Sequence, residues 1–357
     1  LEILKFAIHT LINRHGALRS VVEIDKEEKA SINENQRKVN FLYKDFSDKK
    51  EDYINDYLTD VSHSSFDLTQ NSIRFCVIKR GFSNYSLSIV QHHIFSDGWS
   101  YILMLHELIS TYQAYIACED LQLPTLKSNY QQFVIDEQAY KGSVQFKRDS
   151  EFWSAKLRDT NVLNLALDRP YPSEKTYEGE RVFFTINARK LKRLTELAKQ
   201  LQITLSTLLL STYSILLSRY TGQQDFAIGL TNANRDNSKF ESTQGFFVNT
   251  LPIKFNFNKG ISFGDFVTAT WNDILESMNH SRLPLDELIA VSGNKRKVVG
   301  ANPLYNAIFT FQNFLSLKYI ADHTYSCWNM NYDSYNGSIE GLIEHDLSLL
   351  FIELEGE

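Results

Sequence analysis

Gln91-His92-His93-Ile94-Phe95-Ser96-Asp97-Gly98-Trp99-Ser100 is the stretch on which the reading of this chain turns. It lies where Tyr85 to Gln91, with the composition of a strand, gives way to Gly98 to Ala117, a helix with apolar residues at spacings of three and four. Successive strand side chains point to opposite faces, so Tyr85, Leu87, Ile89 and His93 are predicted to share one side and Ser86, Ser88 and His92 the other. Only one of the two histidines then faces a given site, and the pair cannot easily join Asp97 around one metal ion, so no metal is expected. Asp97 has a structural role open to it as N-cap of the helix that Gly98 begins, with Ile102, Leu105 and Ile109 on the buried face. Gly98 lets backbone or substrate approach closely. A lone histidine usually does no more than satisfy hydrogen bonds. One at a strand end, beside a glycine and a helix N-terminus, can offer a base and backbone N–H donors to a single reacting carbonyl.

Working outward, residues 1 to 15 read as an amphipathic helix, and Lys38 to Phe46 and Ile73 to Lys79 as strands. Helices are predicted over Asn129 to Tyr140 and Val144 to Leu157, after which Asp168 to Glu180, with two prolines, reads as a connector. The division placed there gives an N-terminal lobe, 1–170, and a C-terminal lobe, 171–357. The second lobe opens with a strand at Arg181 to Ile186, helices over Ala188 to Leu201 and Thr204 to Tyr220, and a strand at Asp225 to Thr231. Leu11-Ile12-Asn13-Arg14-His15 and Leu216-Leu217-Ser218-Arg219-Tyr220 close apolar helices with the same residue classes, a faint sign of duplication.

The chain has 357 residues, enough for about two compact units, and 43% hydrophobic with 22% charged residues places it among globular proteins. A formal charge of -6 without a basic, aromatic-interleaved run argues against nucleic acid, and Lys295 to Lys297 reads as a solvated loop. Cys76, Cys118 and Cys327 are too scattered for a disulfide framework or a zinc spacing, which points to a reducing, cytoplasmic setting. The most apolar helical stretch, Leu205 to Leu217, is broken by Ser206, Thr207, Ser211, Thr212 and Ser214, so no membrane span is expected. No signal peptide is visible, and Leu1, Leu4, Ile8 and Leu11 follow helical spacing with no cap before them, the pattern of a fragment.

Four positions of the opening stretch spell HHxxxDG, and here the sequence resembles the condensation domains of nonribosomal peptide synthetases, whose core motif this is, followed by a tryptophan and a serine. Arg14-His15-Gly16-Ala17-Leu18-Arg19 resembles the family's RHExLR motif, with glycine in place of glutamate. Gly245-Phe246-Phe247-Val248-Asn249-Thr250 is similar to its GxFVNT motif, Asn302-Pro303-Leu304 to its NPL motif, and His345-Asp346-Leu347-Ser348-Leu349 to its FDLSL segment, with histidine in place of phenylalanine. The resemblance implies an α/β (α+β) fold of two chloramphenicol-acetyltransferase-like lobes, mixed sheets flanked by helices, in a V-shaped pseudo-dimer. It implies a tunnel entered from each side by a phosphopantetheine arm. His93 would face that tunnel as catalytic residue beside Gly98, with His92 a motif residue. Asp97 would be architectural and paired with an arginine of the RHExLR segment, Arg19. Trp99, Asn249 and Ser348 would line the substrate path, although Asn249 and Ser348 suit ordinary strand hydrogen bonds equally well.

What the resemblance implies about activity is amide formation between a donor acyl thioester and an acceptor amine, both carrier-bound. The expected partners are donor and acceptor carrier proteins and a neighbouring adenylation domain. No cofactor is expected on the domain itself, since the phosphopantetheine belongs to the carriers. Epimerisation domains and stand-alone acyltransferases share HHxxxDG, but Trp99-Ser100 directly after Gly98 resembles the condensation version more closely. A degenerate, partner-recruiting relative would not need the intact motif. Gly260-Ile261-Ser262-Phe263-Gly264 matches the nucleophile elbow GxSxG, and Asp286 with His323 or His345 would complete a thioesterase triad. Against that, Asn256, Asn258 and Lys259 precede it where a buried strand belongs, and Ser262 with Asp265 reads as a capping box.

Overall fold

The computed structural model describes residues 1–25, 30–34, 40–171, 179–257, 260–294, 302–312 and 345–353. They divide into two compact units, the first drawn from 1–137 and 235–247, the second from 138–234 and the described residues beyond 247. Among the described residues no single helix is long and apolar enough to cross a membrane.

The first unit runs through α1 (Glu2–Arg14), β1 (Ser20–Ile24), β2 (Ala30–Glu34), β3 (Asn40–Asp45), α2 (Glu51–His63), β4 (Ile73–Lys79), β5 (Tyr85–Gln91) and α3 (Gly98–Ala117). A further helix, α4 (Tyr130–Lys141), runs across the division. β1 and β2 form an antiparallel pair, and a second sheet has the order β3-β4-β5, parallel then antiparallel. β4 is apolar along most of its length because both its faces are covered. Ile73, Phe75 and Val77 pack with Leu4, Ile8 and Leu11 of α1 and Met104 and Leu108 of α3, while Cys76 and Ile78 meet Ile54 and Val61 of α2. Each fully buried aliphatic or aromatic side chain of this kind contributes about 1.5–3 kcal/mol. The exception is Arg74, whose guanidinium donates to Val61 O and Ser64 Oγ, both at 2.6 Å, at the C-terminal end of α2. There the cation joins the Ser64 hydroxyl, which also donates to Val61 O at 2.9 Å, in capping the helix end.

The second unit holds α5 (Val144–Leu157), α6 (Ala188–Gln200), α7 (Leu205–Thr221), β6 (Asp225–Asn232), β7 (Asn249–Asn256), α8 (Phe263–Asn279), α9 (Leu285–Ser292), β8 (Ala307–Gln312) and β9 (Leu347–Ile352). Its sheet has the order β7-β6-β8-β9, antiparallel at the first pairing and parallel at the others. Phe226, Ile228 and Leu230 of β6 and Leu251, Ile253 and Phe255 of β7 belong to its core, with Leu208 and Leu217 of α7 and Val267 and Ile274 of α8. Gly229 is required by a close approach, since a Cβ there would lie 2.7 Å from the ring of Tyr305. Pro252, opposite Gly229, is tolerated because β7 is at the sheet edge.

Two expectations are corrected. The units do not part at 170, because α5 delivers Trp153 and Leu157, both fully buried, to the second core, and the Trp153 indole N–H donates to His280 O at 2.8 Å. Residues 235–247 in turn belong with the first unit. The strand expected at Arg181–Ile186 joins no ladder among the described residues; Val182 is 83% exposed and Phe184 only edges onto Phe351, ring centres 5.8 Å apart. Alternating β-branched and aromatic residues specify a pleated face, and the partner strand has to come from elsewhere. The two matched pentapeptides also differ in setting, Arg14 being engaged with a buried glutamate and Arg219 exposed.

Candidate active site

β5 ends at Gln91, and the chain continues through an extended His92 into a 3-10 turn, His93–Phe95, before α3 starts at Gly98. The strand alternation that was expected to separate the two histidines therefore stops short of His93, and the turn separates them instead. His92 Nδ1 accepts from Ile94 N–H at 3.3 Å, which puts its proton on Nε2, and its ring meets Phe66 edge-on at 6.2 Å. His93 is exposed. Among the described residues neither of its ring nitrogens has a hydrogen bond, and its ring contact is with Phe246, centroids 5.4 Å apart and planes at 75°. Phe95, between them and Asp97, is fully buried and anchors the turn.

Asp97 is 5% exposed and holds three elements together. Its Oδ1 caps α3 by accepting from Ser100 N–H at 2.8 Å, as its place before the helix predicts. Its Oδ2 accepts from Phe247 N–H at 3.0 Å, and both oxygens face Arg235 Nη2, at 3.3 and 3.4 Å. Arg235 also donates to Ser100 Oγ at 2.8 Å and, through Nη1, to the carbonyls of Phe240 and Thr243 at 2.6 and 2.8 Å. Burial pulls the Arg235 guanidinium below its usual range, and the charge of Asp97 works in the opposite direction. Ser100 Oγ completes the node, donating to Gly245 O at 2.7 Å and accepting from Gly245 N–H at 3.1 Å.

The expected partner of Asp97 was Arg19, and this is a correction. Arg19 Nη1 donates to the carbonyls of Ile12 and Asn13, at 2.8 and 3.1 Å, closing the C-terminal turn of α1. Arg235 lies far along the chain and carries no local spacing signal that ties it to Asp97. The other basic residues of the RHExLR-like segment serve Glu107, a fully buried carboxylate of α3. His15 Nε2 donates to it at 2.6 Å and Arg14 Nε to both its oxygens at 3.2 Å. That site was legible in part, because Glu107 sits between Met104 and Thr111 on the helix's buried stripe, where an acid needs cationic partners.

Residues Arg235–Phe247 are fastened to the first unit by more than Asp97. Trp99, expected on the substrate path, has its indole N–H on Glu241 O at 2.9 Å and its ring 5.6 Å from the Arg235 guanidinium. Phe133, Phe240 and Phe247 form an aromatic cluster with Tyr130, and Arg235 lies 3.9 Å from the centre of the Phe247 ring. The Tyr130 hydroxyl donates to Phe246 O at 2.8 Å, and burial raises its pKa far above the usual phenol range. Gly245 is required here, because a Cβ would run into the Tyr130 ring.

In the second unit Asn249 is buried, and its amide donates to Ser281 O and Leu283 O at 2.9 and 2.8 Å while Oδ1 accepts from Thr250 N–H. It is a strand hydrogen-bond group, the second of the two roles open to it. Ser348 stands exposed on β9 opposite Ile308. Ser262 caps α8, accepting from Asp265 N–H at 3.1 Å and donating to Asp265 Oδ2 at 2.6 Å, as a capping box predicts. Asn258, Lys259, Lys295, Lys297, His323 and Cys327 lie outside the described residues.

A family model for the condensation domain matches residues 1–357. The chain is 32% identical over 317 residues to malpinin synthetase of Mortierella alpina and 30% identical over 315 residues to tyrocidine synthase 2 of Brevibacillus parabrevis, in each case over 87% of its own length. It spans only 4% and 8% of those relatives. Among solved structures, a variant of the starter condensation domain of rhizomide synthetase in complex with C8-CoA matches 88% of the chain and 70% of its own at a TM-score of 0.76 and 17% identity. The four-domain nonribosomal peptide synthetase AB3403 matches 86% of the chain and 23% of its own at a TM-score of 0.74 and 20% identity. These likenesses show the chloramphenicol-acetyltransferase-like α/β fold of condensation domains. With HHxxxDG at the head of α3 and the family model covering it from end to end, the chain belongs to the condensation-domain family of nonribosomal peptide synthetases.

Proposed function

We propose that this domain forms an amide bond between two carrier-bound groups, with His93 as the catalytic residue. The lone pair of an acceptor amine attacks the carbonyl carbon of a donor thioester, a C–N bond forms and the C–S bond breaks. The amine proton ends on the departing pantetheine sulfur, and no covalent bond to the enzyme is needed. His93 is suited to receive that proton and pass it on, or to orient the amine, a free α-amine with a pKa of ~7.7–8.0 being partly neutral near physiological pH. Gly98, exposed at the first position of α3, opens a helix N-terminus five residues after His93, an end that would favour the negative charge developing on the thioester oxygen.

The observation that carries this reading is the unequal engagement of the paired histidines. His92 has a ring nitrogen committed to the turn, whereas His93 is exposed with both ring nitrogens free of hydrogen bonds among the described residues. Donor and acceptor carrier proteins, loaded by an adenylation domain, would bring the substrates on their own phosphopantetheine, so the domain binds no cofactor itself. Tethering supplies an effective concentration of about millimolar, which relieves the site of high affinity for either amino acid. The test mixes the domain with a panel of loaded carrier proteins and reads products by mass spectrometry. Amide is expected from two loaded carriers, with a roughly 10²- to 10⁴-fold loss in His93→Ala. Amide formed from free amino acids and ATP, or a folded His93→Ala variant working at the normal rate, refutes the proposal.

A further inference from the structure

A proton-transfer group has to be held in one orientation, and misplacing it by an ångström costs up to about 10²-fold in rate. Imidazoles are usually oriented by a hydrogen bond to the nitrogen that does not react. His93 has no such bond among the described residues; what its ring touches is the ring of Phe246, 5.4 Å between centres at 75°. The Phe246 side chain is itself 37% exposed, so core burial does not account for its place. Its backbone, by contrast, is fixed on every side. Tyr130 O–H donates to Phe246 O, Gly245 before it is bound in both directions by Ser100 Oγ, and the N–H of Phe247 after it is held by Asp97 Oδ2.

We propose that Phe246 is the positioning residue for His93, an aromatic wall that limits the imidazole's rotation in place of a hydrogen bond, and that the Asp97, Ser100, Arg235 and Tyr130 contacts serve to hold that wall still. The proposal rests on the reading of His93 as the catalytic group. It gives the variable position of the GxFVNT-like segment a task in this chain that the neighbouring Phe247, buried in the aromatic cluster, cannot perform. It also links the distant Arg235–Phe247 segment to the chemistry through two neighbouring residues, one carrying the charge lock and the other the ring.

The test compares Phe246→Ala, Phe246→Leu and Phe246→Tyr with His93→Ala in amide formation from two loaded carriers, together with the NMR shifts of the His93 Hδ2 and Hε1 protons. Expected are a roughly 10- to 100-fold fall in kcat for the alanine and leucine variants with KM for loaded carriers little changed, and recovery of most of that loss in the tyrosine variant. The His93 ring-current displacement should vanish with alanine and leucine and persist with tyrosine. Melting temperatures should stay near that of the unaltered protein, because an exposed ring is lost. Leucine or alanine variants that condense normally while His93→Ala is inactive overturn the positioning role alone. His93→Ala at the normal rate overturns this proposal and the catalytic assignment together. A tyrosine variant as slow as alanine, or His93 shifts indifferent to all three changes, also overturns it.

Discussion

Removing the Asp97 carboxylate should cost the first unit far more than removing the His93 ring. In Asp97→Ala the cap on Ser100 N–H is lost, at a cost of about 0.5–2 kcal/mol. Phe247 N–H loses its acceptor in a buried place, about 1–3 kcal/mol. The Arg235 side chain, 3% exposed, keeps two carbonyls and a hydroxyl but no anion, and an uncompensated buried charge of this kind costs about 3–5 kcal/mol. The three losses share one network and do not add, so about 3–5 kcal/mol is expected in total. At about 2–4 °C per kcal/mol for a unit of this size, the melting transition should fall by about 6–20 °C in scanning calorimetry. His93→Ala, which removes an exposed ring with no hydrogen bond among the described residues, should stay within about 0.5 kcal/mol of the parent. Replacing both partners, Asp97→Ala with Arg235→Met, should lose less than the sum of the single changes, because neither charge is then left alone. An Asp97→Ala transition within about 2 °C of the parent, or strict additivity in the double variant, would refute the reasoning.

Three further outcomes follow from named contacts. Ser262→Ala should lose a cap of about 0.5–2 kcal/mol and leave amide formation intact, and a serine-directed phosphonate should not label the residue; loss of activity with labelling would return the chain to hydrolase chemistry. Asn249→Ala should destabilise the second unit by about 1–3 kcal/mol in chemical denaturation, since it strands the carbonyls of Ser281 and Leu283; unchanged stability with lost turnover would make Asn249 a substrate contact instead. The Asp45 carboxyl is held at about 2 by the hydrogen bond from Lys79 and, next, by those from Ser47. A lowered folded pKa contributes stability above the unfolded value of ~3.9 and loses it as pH falls through about 2, so Asp45→Asn should flatten the acid limb between about pH 4 and 2; an unaltered limb would dismiss the pair.

Much of this protein was legible in one dimension. The strands Ile73–Lys79 and Tyr85–Gln91 and the helices Gly98–Ala117 and Val144–Leu157 occur as their side-chain periods predict, because burial on one face or two is written directly into local sequence. Asp97 as N-cap and Ser262 as a capping residue were readable for the same reason, the partner N–H in each case lying three residues ahead. Motif order was enough to name the family, since HHxxxDG and its companion segments are short and contiguous.

What the sequence could not supply was every pairing across long separation. Arg235 meets Asp97 over an interval of 138 residues and Tyr130 meets Phe246 over 116, and no periodicity encodes such distances. The division of the chain was hidden likewise: a proline-containing connector marks where the backbone is irregular, whereas the units are decided by where Trp153 and the residues 235–247 find partners. Even the different ring partners of the two histidines, Phe66 and Phe246, are set with His93 in a 3-10 turn and not on an alternating strand. Sequence alone thus determined the family, through short contiguous motifs, and the local structure of many segments, because both depend on neighbours a few positions away. Only the tertiary structure decided which arginine neutralises Asp97 and which ring faces His93, because a buried charge and an exposed imidazole meet whatever the fold brings near.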